Sequence, residues 1–204
     1  MALVAVTSSI AGQSNRAASD AFWQALSVEG ASVESYEDLA SMSESSDLVV
    51  RGHIRNIDLG RQFGELVPEW PNPEEGFVHY ANATLVIDDV LGGPVAAAKG
   101  DSLVLELFLP SRDRLDILQD KSTGETGIYW LRNKGVTAAM LGKPRDVVRS
   151  ETQFWRLISF EGVIRDFDGA AVPPIGADEM FVESIKDRSF TSVESATREV
   201  LAAE

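Results

Sequence analysis

From Phe77 to Leu91 the chain runs fifteen residues without Pro or Gly and is rich in β-branched and aromatic types. That composition favours a strand over a helix. Apolar groups at Phe77, Ala81, Ala83, Leu85 and Ile87 share one parity, and polar groups at Asn82, Thr84 and Asp88 share the other. A half-buried antiparallel strand requires this alternation. Asp88 and Asp89 interrupt it before Val90 and Leu91 resume it. Two adjacent polar residues inside an apolar run predict a β-bulge or sharp bend, which lets a long strand serve both sides of a small barrel.

Shorter patterns flank this stretch. Ser19 or Asp20 can cap a helix through Leu26 with Phe22, Trp23 and Leu26 as its apolar stripe. Val28 to Glu34 reads as a linker. Ser35 to Asp38 resembles a capping box for a second helix to about Ser45, with Tyr36, Leu39 and Ala40 on its buried face. A strand then follows Asp47. It places Leu48, Val50, Gly52 and Ile54 on one face and Arg51, His53 and Arg55 on the other, and Gly52 marks a bend or close backbone approach.

Leu59 to Glu75 reads as a long loop carrying Trp70 and three prolines. Leu103, Leu105, Leu107 and Leu109 are in phase on a third strand. Ser111 to Gly124 is a polar connection. Gly127 to Leu131 is apolar throughout, as a strand buried on both faces would be. Val136 to Ser150 reads as loop with short structure. Phe154 to Ile158 and Gly162 to Phe167 are further strands. Asp168-Gly169 signals a hairpin into Ala170 to Val172, closed by Pro173-Pro174. Thr191 with Glu194 opens a C-terminal helix that turns Val193, Ala196, Val200 and Leu201 toward the body.

The order is helix, five or six strands, helix, without βαβ alternation. It predicts a mainly β fold built on an antiparallel sheet or barrel with flanking N- and C-terminal helices. Residues 1–34 form an arm and short helix ahead of a domain over residues 35–204.

With 204 residues and 44% apolar content, the chain can bury one ordinary core. Its net charge of −14 opposes nucleic acid, whose phosphates demand clustered Lys and Arg. It suits a cationic partner or simply an acidic solvated surface. The absence of cysteine removes disulfides, thiolate–zinc sites and cysteine nucleophiles. No stretch is long and apolar enough to read as a membrane-spanning helix. Met1 to Gly12 resembles the later part of a secretory signal without its basic start. This predicts an exported protein whose start lies further upstream, or else an apolar arm that packs within an assembly.

Several phrases together resemble a known group. They are the helix and strand Ser35 to Ile54, the phrase Val86 to Gly92 (VIDDVLG), Gly100 to Leu105, Gly127 to Leu131, and the hairpin Gly162 to Pro174. They resemble bacterial exported proteins that are OB-fold relatives of the inhibitory domain of tissue metalloprotease inhibitors. The resemblance spans Ser35 to Glu204 and implies a five- to six-stranded OB-like barrel, the OB-fold being a partly open Greek-key barrel. Those inhibitors set an N-terminal cysteine on the catalytic zinc. Without cysteine, that mechanism does not carry over, and the bacterial proteins imply no activity.

Candidate chemistry is sparse. His53 lies between Arg51 and Arg55, and His79 shares the core parity of the central strand. No HxxxH or HExxH spacing accompanies them. Asp166-x-Asp168-Gly169 has the start of a calcium loop but lacks its remaining ligands, and hairpin geometry explains it. Asp88 and Asp89 point to opposite faces unless a bulge intervenes. Asn82-Ala83-Thr84 is a glycosylation sequon placed in mid-strand. No phosphate-binding glycine loop or nucleophile elbow is present.

The sequence therefore predicts a non-enzymatic, exported or surface-associated binding domain without catalytic, cofactor or metal residues. Its expected partner is an unidentified protein, met through Trp70 on its proline-stiffened loop and through the face carrying Arg51, His53 and Arg55. The alternative is a structural subunit whose N-terminal arm docks on a neighbour. A carboxylate-based hydrolase is the third reading.

Overall fold

The computed structural model describes residues 7–27, 34–65, 76–94, 96–121, 124–174 and 176–203. Trp70 lies outside the described residues, as does the loop around it from residue 66 to residue 75.

The chain is mainly β. Helices α1 (Thr7–Leu26) and α2 (Leu39–Glu44) precede strands β1 (Leu48–Gly64), β2 (Phe77–Gly92) and β3 (Ser102–Leu109). Helix α3 (Arg114–Lys121) leads to β4 (Thr126–Asn133). Helices α4 (Lys134–Met140) and α5 (Arg145–Glu151) connect β4 to β5 (Phe154–Leu157). Strands β6 (Val163–Phe167) and β7 (Ala170–Val172) and helices α6 (Glu179–Ile185) and α7 (Phe190–Ala202) complete the chain.

The seven strands form one sheet in the order β1-β2-β3-β5-β4-β6-β7, and β1 also pairs with β4. Strands β1, β2, β3, β5 and β4 thus close a hydrogen-bonded ring. The sheet is mixed, which corrects the antiparallel expectation. Strand β5 runs parallel to β3 at Val104↔Phe154 and Leu105↔Trp155, because the α4–α5 connection returns the chain to the start of the seam before β5 begins.

The predicted bulge in β2 is present. Arg51 faces Asp89 and Gly52 faces Ile87, so Asp88 is the extra residue. The bend lets the first half of β1 reach β4 from Leu48↔Leu131 to His53↔Thr126. Gly52 sits at this point for a steric reason, since a Cβ there would lie 2.3 Å from the Val86 carbonyl oxygen.

Period-two alternation sorts side chains into two cores. Leu48, Val50, Ala81, Ala83, Leu85, Leu105, Leu107, Tyr129 and Leu131 fill the ring interior, joined by Phe22, Trp23 and Leu26 of α1. Val49, Ile128, Trp130 and Ile164 face the other way onto Leu39 and Met42 of α2, Phe181 and Ile185 of α6, and Phe190 and Val193 of α7. Strand β4 is therefore covered on both faces, as its unbroken apolar run predicts. The fully buried Trp130 donates its Nε1–H to Ser43 Oγ at 2.9 Å, pinning α2 to the sheet.

Several boundaries differ from the sequence reading. Strand β1 continues through Leu59 to Gly64, a stretch read above as loop. Helix α2 starts after Asp38, which caps Ser41 N–H, and not at Ser35. Helix α7 is capped by Ser189 in place of Thr191. The connection Ser111–Gly124 holds α3, whose Leu118 is fully buried against the ring, and the stretch 136–150 holds α4 and α5. Asp168 and Gly169 both have positive φ, at 51° and 84°, the geometry of the hairpin turn expected there.

Helix α1 spends its apolar stripe on its own chain. A polar clasp continues the same buried side one turn earlier: Arg165, 2% exposed, donates to Ser19 Oγ at 2.5 Å and to Asp20 Oδ1 at 2.9 Å. Ser19 in turn donates to Glu125 Oε2 at 2.5 Å. Burial pushes the Glu125 carboxyl above its ordinary value, with the Ser19 hydrogen bond and the Arg165 charge opposing the rise. A carboxyl raised on folding binds its proton more tightly in the folded state. Its contribution is therefore complete below the unfolded value of about 4.3 and is lost as pH rises through the raised value. Glu125→Gln, which keeps the acceptor for Ser19, is expected to remove this loss. In urea titrations across pH 4 to 8 the variant gains on the parent as pH rises, and an unchanged gap would count against the buried carboxyl.

Candidate functional site

The residues expected to bind a partner are mostly engaged within the chain. Arg51 Nη1 donates to Glu194 Oε2 of α7 at 3.1 Å. Arg198 bridges the same Glu194 to Asp89. Arg51 thus fastens the C-terminal helix. His53 Nδ1 lies 3.2 Å from Asp88 Oδ2, the carboxylate that the bulge turns to its side. Arg55 is exposed at a second bulge, where Ile54 faces Leu85 and Asn56 faces Thr84. The structure places Arg51 and His53 at the β1–β2 bulge and Arg55 at the next one. Among the described residues no group of His, Asp or Glu is arranged to hold a metal ion.

A different cluster stands on the outer face of β1, β2 and β3. Along β3 the residues between the leucines point outward, which places Glu106 on that face. Yet the Glu106 side chain has 0% exposure. Arg61 covers it with two parallel hydrogen bonds, Nε to Oε1 and Nη2 to Oε2, both 2.6 Å. Lys134 Nζ reaches Oε2 at 2.5 Å. The same guanidinium also grips Glu151 of α5 through Nη1 at 2.6 Å and Nη2 at 2.9 Å.

Two cations and two anions thus form a neutral quartet from β1, β3, α4 and α5. Hydrogen bonds donated to Glu106 first and Glu151 next hold the Arg61 guanidinium above its ordinary value. The Arg61 hydrogen bonds hold Glu151 below the usual carboxylate value. Bidentate Arg–carboxylate pairs of this kind are among the stronger polar contacts and are directional.

The local sequence explains why these groups meet. Leu59 faces Ala81 and Gln62 faces His79, so Gly60 and Arg61 together oppose Tyr80. This bulge re-aims Arg61 across the face. Gly60 is required beneath it, since a Cβ there would meet Asn82 Oδ1 at 2.6 Å and the Tyr80 carbonyl oxygen at 2.8 Å. On the other side, Asn133 caps α4 by accepting from Gly135 and Val136 N–H, and its Nδ2 donates to Thr152 O at 2.9 Å. Both ends of the α4–α5 connection are thereby tied together. Lys134 and Glu151 are held at fixed positions beside the sheet.

Aromatic rings cross the same face. Tyr80 lies edge-on to Phe63, with centroids 5.8 Å apart, and edge-on to Phe108 at 6.2 Å. The Arg61 guanidinium stacks 3.9 Å from the Phe154 ring centroid and 5.1 Å from that of Phe63. Lys134 Nζ sits 4.7 Å from the Tyr80 centroid. Phe63 and Phe108 remain 46% and 42% exposed. The row borders a groove of about 360 Å³, which opens where β3 and β5 splay apart after Leu105 and Trp155. Trp23, Leu26, Tyr80, Phe108, Leu157 and Phe160 are among its walls. Ser159 Oγ, also at the groove, is buried without a hydrogen-bond partner.

Sequence reading missed this face. Its signal was present in Tyr80, Phe108 and Glu106, which occupy outward parity where solvated polar residues are the rule. No protein-family model, curated protein or solved structure matches the chain.

The quartet's contribution is measurable. Glu106→Ala leaves Lys134 without its carboxylate and Arg61 with Glu151 alone, and is expected to cost about 2–3 kcal/mol in urea unfolding. Glu183→Ala breaks an ion pair to Lys186 whose partners are more than half exposed, and should stay within about 0.5 kcal/mol. Equal effects would show that the quartet is no more than a surface pairing.

Proposed function

We propose that the chain is a non-enzymatic, exported or surface-associated OB-like domain that binds a protein partner through the outer face of β1, β2 and β3. The observation that carries this reading is the half-exposed row Phe63–Tyr80–Phe108, held rigid by a saturated ion quartet and opening onto an apolar groove. Exposed aromatics on a rigid backbone are the residues most enriched at binding hot spots. Their contiguity separates them from singly scattered surface hydrophobics.

The OB-like part of the reading is supported by the five-strand ring with its non-sequential closure. In OB-type barrels the β2–β3 face and the β1–β2 and β4–β5 connections form the binding surface. Here the β4–β5 connection supplies Lys134 and Glu151 to that face. The relation to bacterial exported proteins and metalloprotease inhibitors rests on the phrases quoted from the sequence, and export rests on that relation together with the signal-like pattern of residues 1–12. Nucleic acid fits the face poorly. The chain carries −14 charges, and the two cations beside the rings are already matched by carboxylates.

Photo-crosslinking tests the location. p-Benzoylphenylalanine at Phe108 is expected to trap a stoichiometric partner in extracts of the source cell or its medium, whereas the same probe at the exposed Glu199 does not. Phe63→Ser combined with Phe108→Ser should abolish that capture while changing stability by less than about 1 kcal/mol. Capture that is identical from both probe sites, or that survives the double substitution, would sink the assignment of this face.

A further inference from the structure

The groove between β3 and β5 differs from the aromatic face beside it, because it carries polar groups that the chain leaves unused. Its floor belongs to the first core, with Trp23, Leu26, Leu107, Leu157 and Phe160 lining it. At about 360 Å³ it stands near the lower end of the roughly 300–1,000 Å³ of small-molecule sites. Such sites combine apolar walls with a few placed polar groups.

Two such groups border this groove, Arg156 and Ser159. Arg156 faces Arg132 across the β4–β5 ladder, and both reach for one carboxylate. Arg132 holds Glu34 through both oxygens, at 3.0 and 3.1 Å, while Arg156 Nη2 meets it at 3.4 Å. Charge-assisted hydrogen bonds usually measure about 2.7–2.9 Å, so Glu34 belongs to Arg132 first. Two guanidiniums on one carboxylate leave a surplus positive charge. Glu106 is the one carboxylate among the described lining residues, and Arg61 and Lys134 already saturate it. Arg156 Nη1 folds back to donate to the carbonyls of Leu157 and Ile158. That brings the guanidinium to the peptide that joins Ile158 to Ser159. Ser159 Oγ is buried without a partner, in a turn closed by Gly162 N–H donating to Ser159 O at 3.1 Å. A buried hydroxyl with no acceptor costs stability that a ligand able to take its hydrogen bond restores.

These observations converge on an amphipathic anion. We infer that the groove binds a small monocarboxylate with an apolar body, of the class of medium-chain alkanoic acids. Arg156 supplies the charge and Ser159 the hydroxyl donor for its carboxylate, and the apolar body lies against Trp23, Leu26 and Phe160. This goes beyond the partner-binding reading and stands without it.

The test uses the full chain, isotope-labelled, with decanoate, decanol and decyltrimethylammonium below their micelle concentrations. Decanoate is expected to shift the Trp23 indole N–H signal and the amides from Arg156 to Phe160. It should bind about tenfold more tightly than decanol, the worth of one hydrogen bond to a charged group. The ammonium should bind weakest, although the chain's net charge of −14 favours it in general. Arg156→Gln should lower decanoate affinity about tenfold and leave decanol unchanged. Ser159→Ala should lower decanoate affinity about three- to tenfold while raising the urea midpoint of the free protein, since it removes an unpaired hydroxyl. This second variant decides the matter if Arg156→Gln fails to fold.

Equal binding of decanoate and decanol, indifferent to both variants, would reduce the site to an apolar cavity and overturn the inference. Shifts as strong around Met140 and Leu141, 80% and 68% exposed, would overturn it as general adsorption. Binding of a peptide with a free C-terminal leucine, where decanoate does not bind, would reassign the groove to the end of a protein chain. Concentration-dependent shifts at Trp23 and Ser159 without ligand would reassign it to a second copy. Crosslinking at Phe108 reads the other surface: a trapped partner without decanoate binding discards only this inference, and decanoate binding without a trapped partner discards only the partner.

Discussion

The structure depends on one constraint, that β1 must pair with two strands on opposite sides while its neighbour β2 bends around it. Asp88 supplies the bend and Gly52 the clearance, and without both the first half of β1 could not reach β4. Closing the ring in this way is what allows alternate residues to be buried on both faces of β1 and β4. It turns an ordinary amphipathic alternation into two cores served by the same strands. The first is capped by α1, while α2, α6 and α7 cover the second. Polar groups follow the same logic. Asp88 and Asp89, extruded by the bend, become the partners of His53 on β1 and of Arg198 on α7. Of the two carboxylates that break the sequence pattern, Asp89 thus ties down the helix laid over the break.

The ring's weakest closure sets the position of the candidate site. β3 and β5 share only two paired positions and then diverge. A splay in a sheet leaves backbone and apolar side chains open, which a fold must cover or use. Helix α1 covers one end with Trp23 and Leu26, and the α4–α5 connection braces the other through Lys134 and Glu151. The bracing runs through Glu106, a carboxylate with no exposed surface on a face that should be wet. Burying that charge would be unfavourable without full compensation. Three hydrogen bonds from two cations supply it, and Arg61 carries the connection on to α5. The same network ties the strands that carry the aromatic rings to the α4–α5 connection.

How much of this was legible in the sequence depends on the range of the interactions. Alternation in β2 and β3, the bulge at Asp88, the hairpin at Asp168-Gly169 and the two-sided burial of β4 are written in neighbouring residues, and all were read from them. Residues 59–64 were read as loop because Gly60, Arg61, Gln62 and Gly64 break any alternation. The strand continues there because β2 offers a partner and the bulge at Gly60-Arg61 absorbs the misfit. Helices α4 and α5 were read only as loop with short structure because each has seven residues, α4 depending on the Asn133 cap and its packing on β4 and β5, and α5 on its packing against α4. The parallel β3–β5 pairing follows from where that connection ends in space, which no local pattern records. The quartet joins positions 61, 106, 134 and 151, whose meeting requires the ring to be closed first. Arg51 and His53 were chosen for their types and spacing, and their actual partners, Glu194 and Asp88, lie on a distant helix and across the bulge.

The division of charge between these two surfaces bears on what the protein can do. At the β1–β2 bulge each cation meets a carboxylate of the chain, and the pairs serve to dock α7. At the outer face the pairing is also internal, but it leaves the aromatic rings uncovered. Since Arg61 and Lys134 are spent on Glu106 and Glu151, the face cannot recognise an anion without first breaking a buried network. What remains available on the face are the aromatic rings of Phe63 and Phe108, 46% and 42% exposed.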